Sequence, residues 1–384
     1  MKKVAVFTSS RAEYDILFWL LKDIDQEAGL DLKLIVSGSH LSPAHGFSLK
    51  KIEQDGFEVH ALVEMLVSSD TPVGSAKSLG LQFISLADAI RDMEPDFLLI
   101  VGDRFEALGA ATVANLFNIP VVHFHGGEET LGANDDAFRH AITKLSSWHF
   151  VTNEIHRNRV VQMGEQPNSV FNYGALGIDR RKFEKLESLQ SLSDHLKFCL
   201  TDKFFLITLH PVTRQEDDVD DFLDQVFAAI DEVKGYKLLF TQPNHDAGGV
   251  KIMNKITQFS DRYPQKAVCV STLGNPWYFS AMKLTSAVVG NSSSGIIEAP
   301  SFRVPTVNIG DRQLGREAAL SVINCMPKKE DIIDALNLAV SKSFKKRLDR
   351  LVNPYGDGLT SGRVIETLKS IQVQSLTPFH DLVS

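Results

Sequence analysis

The chain has 384 residues, 43% hydrophobic and 23% charged, with a net charge of −8. That is the composition of a globular protein too long for one ordinary core, and it suits two domains. Acidity without an extended Lys or Arg run speaks against a nucleic-acid partner, no apolar run approaches the roughly 20 residues of a membrane span, and Cys199, Cys269 and Cys325 are too scattered for a zinc pattern and odd in number for a disulfide framework.

Short apolar runs alternate with helix-length amphipathic segments. The first series is 4–9, 32–38, 57–62, 97–103, 120–127 and 148–153; the second is 204–211, 237–243, 267–272, 286–295 and 305–310. Runs apolar throughout, spaced about 25–35 residues apart, indicate parallel strands covered on both faces. Two successive series predict an α/β protein of two Rossmann-like doubly wound domains facing across a cleft. The expected domains are 1–172 and 173–360, followed by a helix and tail at 361–384. With the first strand starting at Lys3 there is no room for a signal peptide, and a cytoplasmic protein is expected.

In such sheets ligands bind beyond the carboxyl ends of the strands, and the polar residues gather there. "AVFTSSRAEYD" (5–15) follows the first strand and lacks G-x-G-x-x-G, so a dinucleotide fingerprint is absent. Arg11 at that turn can hold a phosphate bidentately; equally, Ser10 can be a helix N-cap with Arg11 solvated. In "VGDRFEAL" (101–108), Asp103 and Glu106 have capping-box-like spacing, but Arg104 opposes the helix dipole and is not explained by capping.

The stretch "VVHFHGGEETLGANDDAFRHAI" (121–142) crowds proton-handling groups at one strand end. Gly126 and Gly127 are expected to let a ligand approach the backbone. Asn134 reads as an N-cap, with Asp135–Arg139 and Asp136–His140 at i,i+4 spacing. In the second series, "ITLHPVT" (207–213) puts His210 at a strand end, and Gln242-Pro243-Asn244 ends the next. "GNSSSGIIEAP" (290–300) is a strand, a Ser/Gly turn and a helix start suited to phosphate, with Ser292 and Ser293 in the turn and Glu298 placed to accept from ribose hydroxyls.

The ordered set "RAEYD", "GDRFEAL", "HFHGGEETLGANDDAFRHAITKL", "HPVT", "GNSSSGIIEAP" and "NIGDRQLGR", running from residue 11 to residue 316, resembles the hydrolysing UDP-N-acetylglucosamine 2-epimerase family, including its sialic- and legionaminic-acid pathway members. The resemblance implies a glycosyltransferase-B-like fold, a UDP-sugar substrate, and neither a nicotinamide cofactor nor a metal. It also implies a homodimer or homotetramer. The implied reaction removes the C2 proton, expels UDP from C1 to give a glycal, then reprotonates C2 on its other face and adds water at C1.

By resemblance, Asp103 and Asp135 match acid/base carboxylates. His210 matches a histidine near the diphosphate, where an imidazolium would assist departure of UDP. Arg11, Ser292, Ser293 and Arg312 match diphosphate contacts, and Glu298 a ribose contact. Tyr14, Arg104, Arg139 and Asn244 complete the substrate-binding candidates. Many relatives read H-x-E where this chain reads His123-Phe124-His125, so either His125 or Glu128 handles the C2 proton. A histidine suits proton transfer in both directions near neutrality. Three other readings stand beside UDP-N-acetylglucosamine: a UDP-2,4-diacetamido-2,4,6-trideoxyhexose substrate, a glycosyltransferase of the same fold, and a non-enzymatic nucleotide-sugar sensor.

Overall fold

The computed structural model describes residues 1–43, 47–69, 71–129, 135–211, 219–242, 249–271, 273–274, 276–373 and 378–381. Among these, the first sheet comprises β1 (Lys2–Thr8), β2 (Leu30–Ser37), β3 (Val59–Val63), β4 (Phe97–Val101), β5 (Val121–Phe124), β6 (Trp148–Val151) and β7 (Val170–Asn172). The second comprises β8 (Phe204–Thr208), β9 (Lys237–Thr241), β10 (Ala267–Val270), β11 (Ala287–Gly290), β12 (Thr306–Ile309) and β13 (Val322–Cys325). Every pairing is parallel. The strand orders are β3-β2-β1-β4-β5-β6-β7 and β10-β9-β8-β11-β12-β13. Both contain the doubly wound order, with the chain reversing direction across the sheet between β1 and β4 and between β8 and β11.

The apolar runs become strands because both of their faces are covered. β4 and β8 are buried at every residue. The helix Arg11–Gln26 begins at Ser10, whose hydroxyl accepts from Glu13 N while the Glu13 carboxylate accepts from the Ser10 backbone, a complete capping box. Its buried residues Tyr14, Leu17, Leu20, Leu21 and Ile24 recur at helical spacing on one face. Each such side chain contributes about 1.5–3 kcal/mol when fully buried.

The chain divides into one unit of Met1–Asp179 with Gly358–Ser384, and a second of Arg180–Asp357. The last helix, Thr360–Ser370, therefore belongs to the first unit rather than following the second as a separate tail element. Its Val364, Ile365 and Leu368 join the core cluster that holds Leu17 and Leu21. Lys2 Nζ donates to the carbonyls of Leu368, Lys369 and Ile371 at 2.9, 2.9 and 2.6 Å, a cation at a helix C-terminus. The sequence also hid β7 and β13. Both are short edge strands with partly exposed residues, so no continuous apolar run marks them.

Candidate active site

Three loops follow β1, β4 and β5 in the first unit. After β4, Gly102 turns at φ +84° and Asp103 follows. The helix Phe105–Leu116 is capped at Arg104 with no side-chain cap bond, so Asp103 is not the cap its spacing suggests. Its carboxylate instead takes a hydrogen-bonded ion pair from Arg139. Arg104 lies over Glu106, Nε at 3.1 Å from Oε2 and Nη2 at 2.8 Å from Oε1, and 3.8 Å from Glu13. Two carboxylates thus answer the cation that capping left unexplained.

Glu13 is buried, and its carboxyl accepts from Ser9 N (2.6 Å), Ser9 Oγ (3.0 Å) and Ser10 N (3.2 Å). Burial pushes its pKa up to about 7, against the lowering effect of those bonds and of Arg104. It is a titratable group at the first strand end that was not singled out from sequence, although Ser10-Arg11-Ala12-Glu13 is a readable capping box.

After β5 the chain turns at His125, a non-glycine residue at φ +66°. That left-handed conformation costs of order 1–3 kcal/mol and persists only where the surroundings hold it. His125 N donates to Phe150 O at 3.0 Å, and His125 O accepts from Arg139 Nη1 at 3.1 Å. The imidazole Nδ1 is 2.8 Å from Glu128 Oε1. A carboxylate accepts, so Nδ1 carries the proton and the lone pair available for a base falls on Nε2. Nε2 is buried and has no hydrogen-bond partner among the described residues. Glu128 also accepts from Thr152 Oγ1 at 3.4 Å and lies 3.6 Å from Arg139 Nη1. Thr152 Oγ1 in turn meets His156 Nδ1 at 2.7 Å.

His125 and Glu128 are therefore one dyad, and Arg139 joins it to Asp103. The Arg139 charge also acts on Asp135, four residues before it on the same helix. Asp136–His140 does pair, at 3.4 Å. Asp135, the first residue of its helix, opens to solvent. Partial burial, then the charge of Asp103, raises its carboxyl above the usual aspartate range. The glycines serve the protein's own packing. A Cβ on Gly126 would lie 3.1 Å from His123 Nδ1, and one on Gly127 would strike His156 O.

Two other candidates differ from expectation. Tyr14 is 2% exposed, donates to Asp55 Oδ2 at 2.7 Å and stacks edge-on with Phe18, His40 and Phe57. It belongs to the core, because position 14 falls on the buried face of its helix. Arg11 is exposed and pairs with Asp15 at 3.7 Å, the solvated first-turn alternative.

In the second unit, His210 N donates to Asn291 Oδ1 (2.7 Å) and His210 O accepts from Asn291 Nδ2 (2.9 Å), which locks the loops after β8 and β11 together. Asn291 O accepts from Arg312 Nη1 (3.1 Å) and Gln313 Nε2 (2.9 Å). Burial, then the Arg312 charge, pushes the His210 pKa down to about 4. The ring is neutral in this state, and its Nδ1 is buried without a partner among the described residues. Ser292 Oγ accepts from Ser294 N at 3.4 Å, and Ser293 makes no side-chain cap bond. Burial raises the Glu298 carboxyl, and its Oε2 has no partner among the described residues. Asn244, Asn134 and the residues around them lie outside the described residues. Among the described residues no group of three or more His, Cys, Asp and Glu is arranged to hold a metal ion.

Residues 22–369 match the profile of the family described as UDP-N-acetylglucosamine 2-epimerase. The chain is 36% identical over 376 residues to the Campylobacter jejuni GDP/UDP-N,N'-diacetylbacillosamine 2-epimerase (hydrolyzing), covering 98% of this chain and 97% of that one. It is 35% identical over 357 residues to the Escherichia coli polysialic acid biosynthesis protein P7, covering 92% and 90%. The crystal structure of UDP-GlcNAc 2-epimerase from Neisseria meningitidis bound to UDP-GlcNAc has the same fold at 18% identity, with a TM-score of 0.75 over 96% of this chain and 99% of that one. The two parallel sheets with their flanking helices are accordingly a two-domain α/β fold of the glycosyltransferase-B type.

Proposed function

The chain belongs to the UDP-N-acetylglucosamine 2-epimerase family, and from that premise we propose that it is a hydrolysing 2-epimerase of a UDP-linked 2-acetamido sugar. The observation that carries the proposal is the buried Nε2 of His125, without a partner among the described residues, with Nδ1 held by Glu128 and the ring set in the same ion-paired cluster as Asp103. His125 Nε2 takes the C2 proton. The electron pair of that C–H bond forms the C1–C2 double bond, and the C1–O bond breaks with its electrons leaving on UDP. A carboxylic acid then returns a proton to the other face of C2. Asp135, whose pKa is raised, is suited to that delivery, with Asp103 beside it. Water adds its oxygen to C1 and yields its proton to the cluster. The net change is UDP-sugar plus water to UDP plus the free 2-epimer.

In the second unit His210, Arg312, Ser292 and Ser293 take the diphosphate. Glu298 Oε2, without a partner among the described residues, suits a ribose hydroxyl. A diphosphate beside His210 opposes the Arg312 charge and favours the imidazolium that assists UDP departure.

UDP-N-acetylglucosamine is the substrate in this reading, giving N-acetylmannosamine. A UDP-2,4-diacetamido-2,4,6-trideoxyhexose is the second reading, favoured by the name of the Campylobacter relative. Incubation with each sugar in heavy water tests both. UDP and a free 2-epimer should appear in equal amounts with one solvent deuterium at C2. A product still linked to UDP, or a C2 that keeps its original hydrogen, would overturn the proposal. UDP release that requires an acceptor would identify a glycosyltransferase instead.

A further inference from the structure

His123 is fully buried in β5, one residue before the end of the strand and two before the dyad histidine. Its register partners are Ile100 on β4 and His149 on β6, so it lies inside the sheet and not on the open loop surface. The reaction described above makes no use of it.

Its hydrogen bonds fix its state. Nε2 is 2.9 Å from Gly102 O. A carbonyl only accepts, so Nε2 carries the proton. Nδ1 then offers a lone pair; Thr143 Oγ1 lies 3.2 Å away, its single proton shared between this nitrogen and the Arg139 carbonyl. Burial lowers the His123 pKa to about 3, which agrees with a neutral ring throughout the physiological range.

The ring touches the three segments that bear the proton-transfer groups. Gly102 O belongs to the peptide that leads into Asp103, in a turn that also bonds through Gly102 N to Phe124 O at 3.1 Å. Thr143 sits one helical turn beyond Arg139 on the helix that starts at Asp135, and its hydroxyl is also 3.0 Å from Arg139 O. Gly126, between His125 and Glu128, packs so closely that a Cβ there would come within 3.1 Å of Nδ1 and 3.4 Å of Cε1 of this ring.

We propose that His123 is a positioning residue, a neutral buried imidazole that joins the Gly102–Asp103 turn to the Asp135–Thr143 helix and sets the His125–Glu128 loop against both. It moves no proton in the reaction. The proposal rests on the epimerase reading for its kinetic consequence, but not for its structural one. Displacing reacting groups by about 1 Å costs on the order of 100-fold in rate, whereas nucleotide binding, assigned to the second unit, need not change.

Three substitutions separate the roles. His123→Gln keeps an N–H donor that reaches Gly102 O. His123→Asn has a donor too short to reach it, and His123→Phe keeps the ring but neither bond. The expected order of kcat is Gln within roughly 10-fold of the parent, with Asn and Phe lower by about 100-fold, and UDP affinity unchanged within roughly threefold throughout. The pH–rate profile of His123→Gln should match the parent, because no reaction proton passes through this ring. A Gln variant as inactive as Phe would overturn the proposal in favour of direct proton transfer by His123. Parent-like kcat in both Asn and Phe would overturn it in favour of passive packing. Should Phe fail to fold, the Gln–Asn pair decides.

NMR of the protein labelled with ¹⁵N-histidine gives a readout independent of any sugar. The signal lost in His123→Gln should report Nε2–H and bare Nδ1, unchanged from pH 5 to 8, and His123→Asn should shift the backbone signals of Gly102, Asp103 and Thr143. A titrating ring, or unmoved signals, would sink the structural claim even if every UDP-sugar proved inert. An inert parent with the expected NMR result would instead remove the epimerase reading and leave the clamp standing.

Discussion

Glu128 Oε1 lies 2.8 Å from His125 Nδ1, and the other nitrogen of that ring meets no partner among the described residues. A carboxylate behind an imidazole holds its tautomer and stabilises the imidazolium that forms when the ring accepts a proton. In the proposed reaction His125 then carries the proton and Glu128 holds it.

Residues that act as a unit are non-additive when removed. His125→Ala is expected to lose roughly 10²–10⁴-fold in turnover, the scale of acid–base catalysis, with UDP affinity retained. Glu128→Ala should also be strongly impaired. The double variant should be little worse than His125→Ala alone. Losses that multiply would show that the two side chains act separately. Near-parent turnover in His125→Ala would remove the dyad from the reaction.

Arg139 is almost fully buried and faces two carboxylates, Asp103 and Glu128. Breaking a buried pair leaves uncompensated charge, which costs about 3–5 kcal/mol. Arg139→Met should therefore lower the thermal midpoint of the first unit and abolish turnover. Asp103→Asn should keep its fold better, since Glu128 still faces the guanidinium, yet lose turnover. An Arg139→Met protein with parent thermal stability would show that the cluster is not held by this cation.

Among the described residues Tyr14 has one polar side-chain contact, to Asp55, at the edge of a core cluster. Tyr14→Phe should lose about 0.5–1.5 kcal/mol of stability, the net worth of one hydrogen bond, and leave kcat and KM unchanged. A rise in KM with unchanged stability would return Tyr14 to the substrate.

Four buried histidines have folded pKa values below the ordinary 6.5: His40, His156 and His210 at about 4, and His123 at about 3, each through burial first. Between about 4 and 6.5 the unfolded chain binds protons that the folded chain refuses, so stability falls as pH falls through that window, by about 1.4 kcal/mol per unit for each histidine. Glu13, raised from 4.5 to about 7, works in the opposite direction: its contribution is lost as pH rises through 4.5 to 7. The raised carboxyls of Asp135 and Glu298 act in the same direction as Glu13, and the four histidines outnumber these three, so denaturant midpoints should drop from pH 6.5 to 5. His156→Asn should flatten that slope. A stability constant across the window would contradict the neutral assignments. For His210, UDP binding near pH 5.5 should take up a proton, measurable as a buffer-dependent heat; binding with no proton exchange would place the diphosphate away from this ring.

What the amino-acid sequence determined by itself was the architecture. Completely apolar runs at strand length, separated by helical periodicity, are used as covered parallel strands, so both sheets, short of their edge strands β7 and β13, and the polar strand ends were legible in the sequence. The Ser10 cap and the Asp136–His140 pair were legible too, because capping and i,i+4 contacts are local. The tertiary structure decided everything that depends on neighbours distant in sequence. Arg139 has Asp135 within its own helix, and the fold adds Asp103 from another loop, 36 residues away. Tyr14 carries a polar tip like a ligand residue, and only the packing of its helix sends that tip to Asp55. The left-handed turn at His125, the orphaned Nε2 and the ring of His123 between three segments arise because parallel β4 and β5 bring their ends side by side. Local sequence encodes which groups are available. Which of them meet is set by burial, where charges and donors removed from water must find whatever partner the fold places within reach.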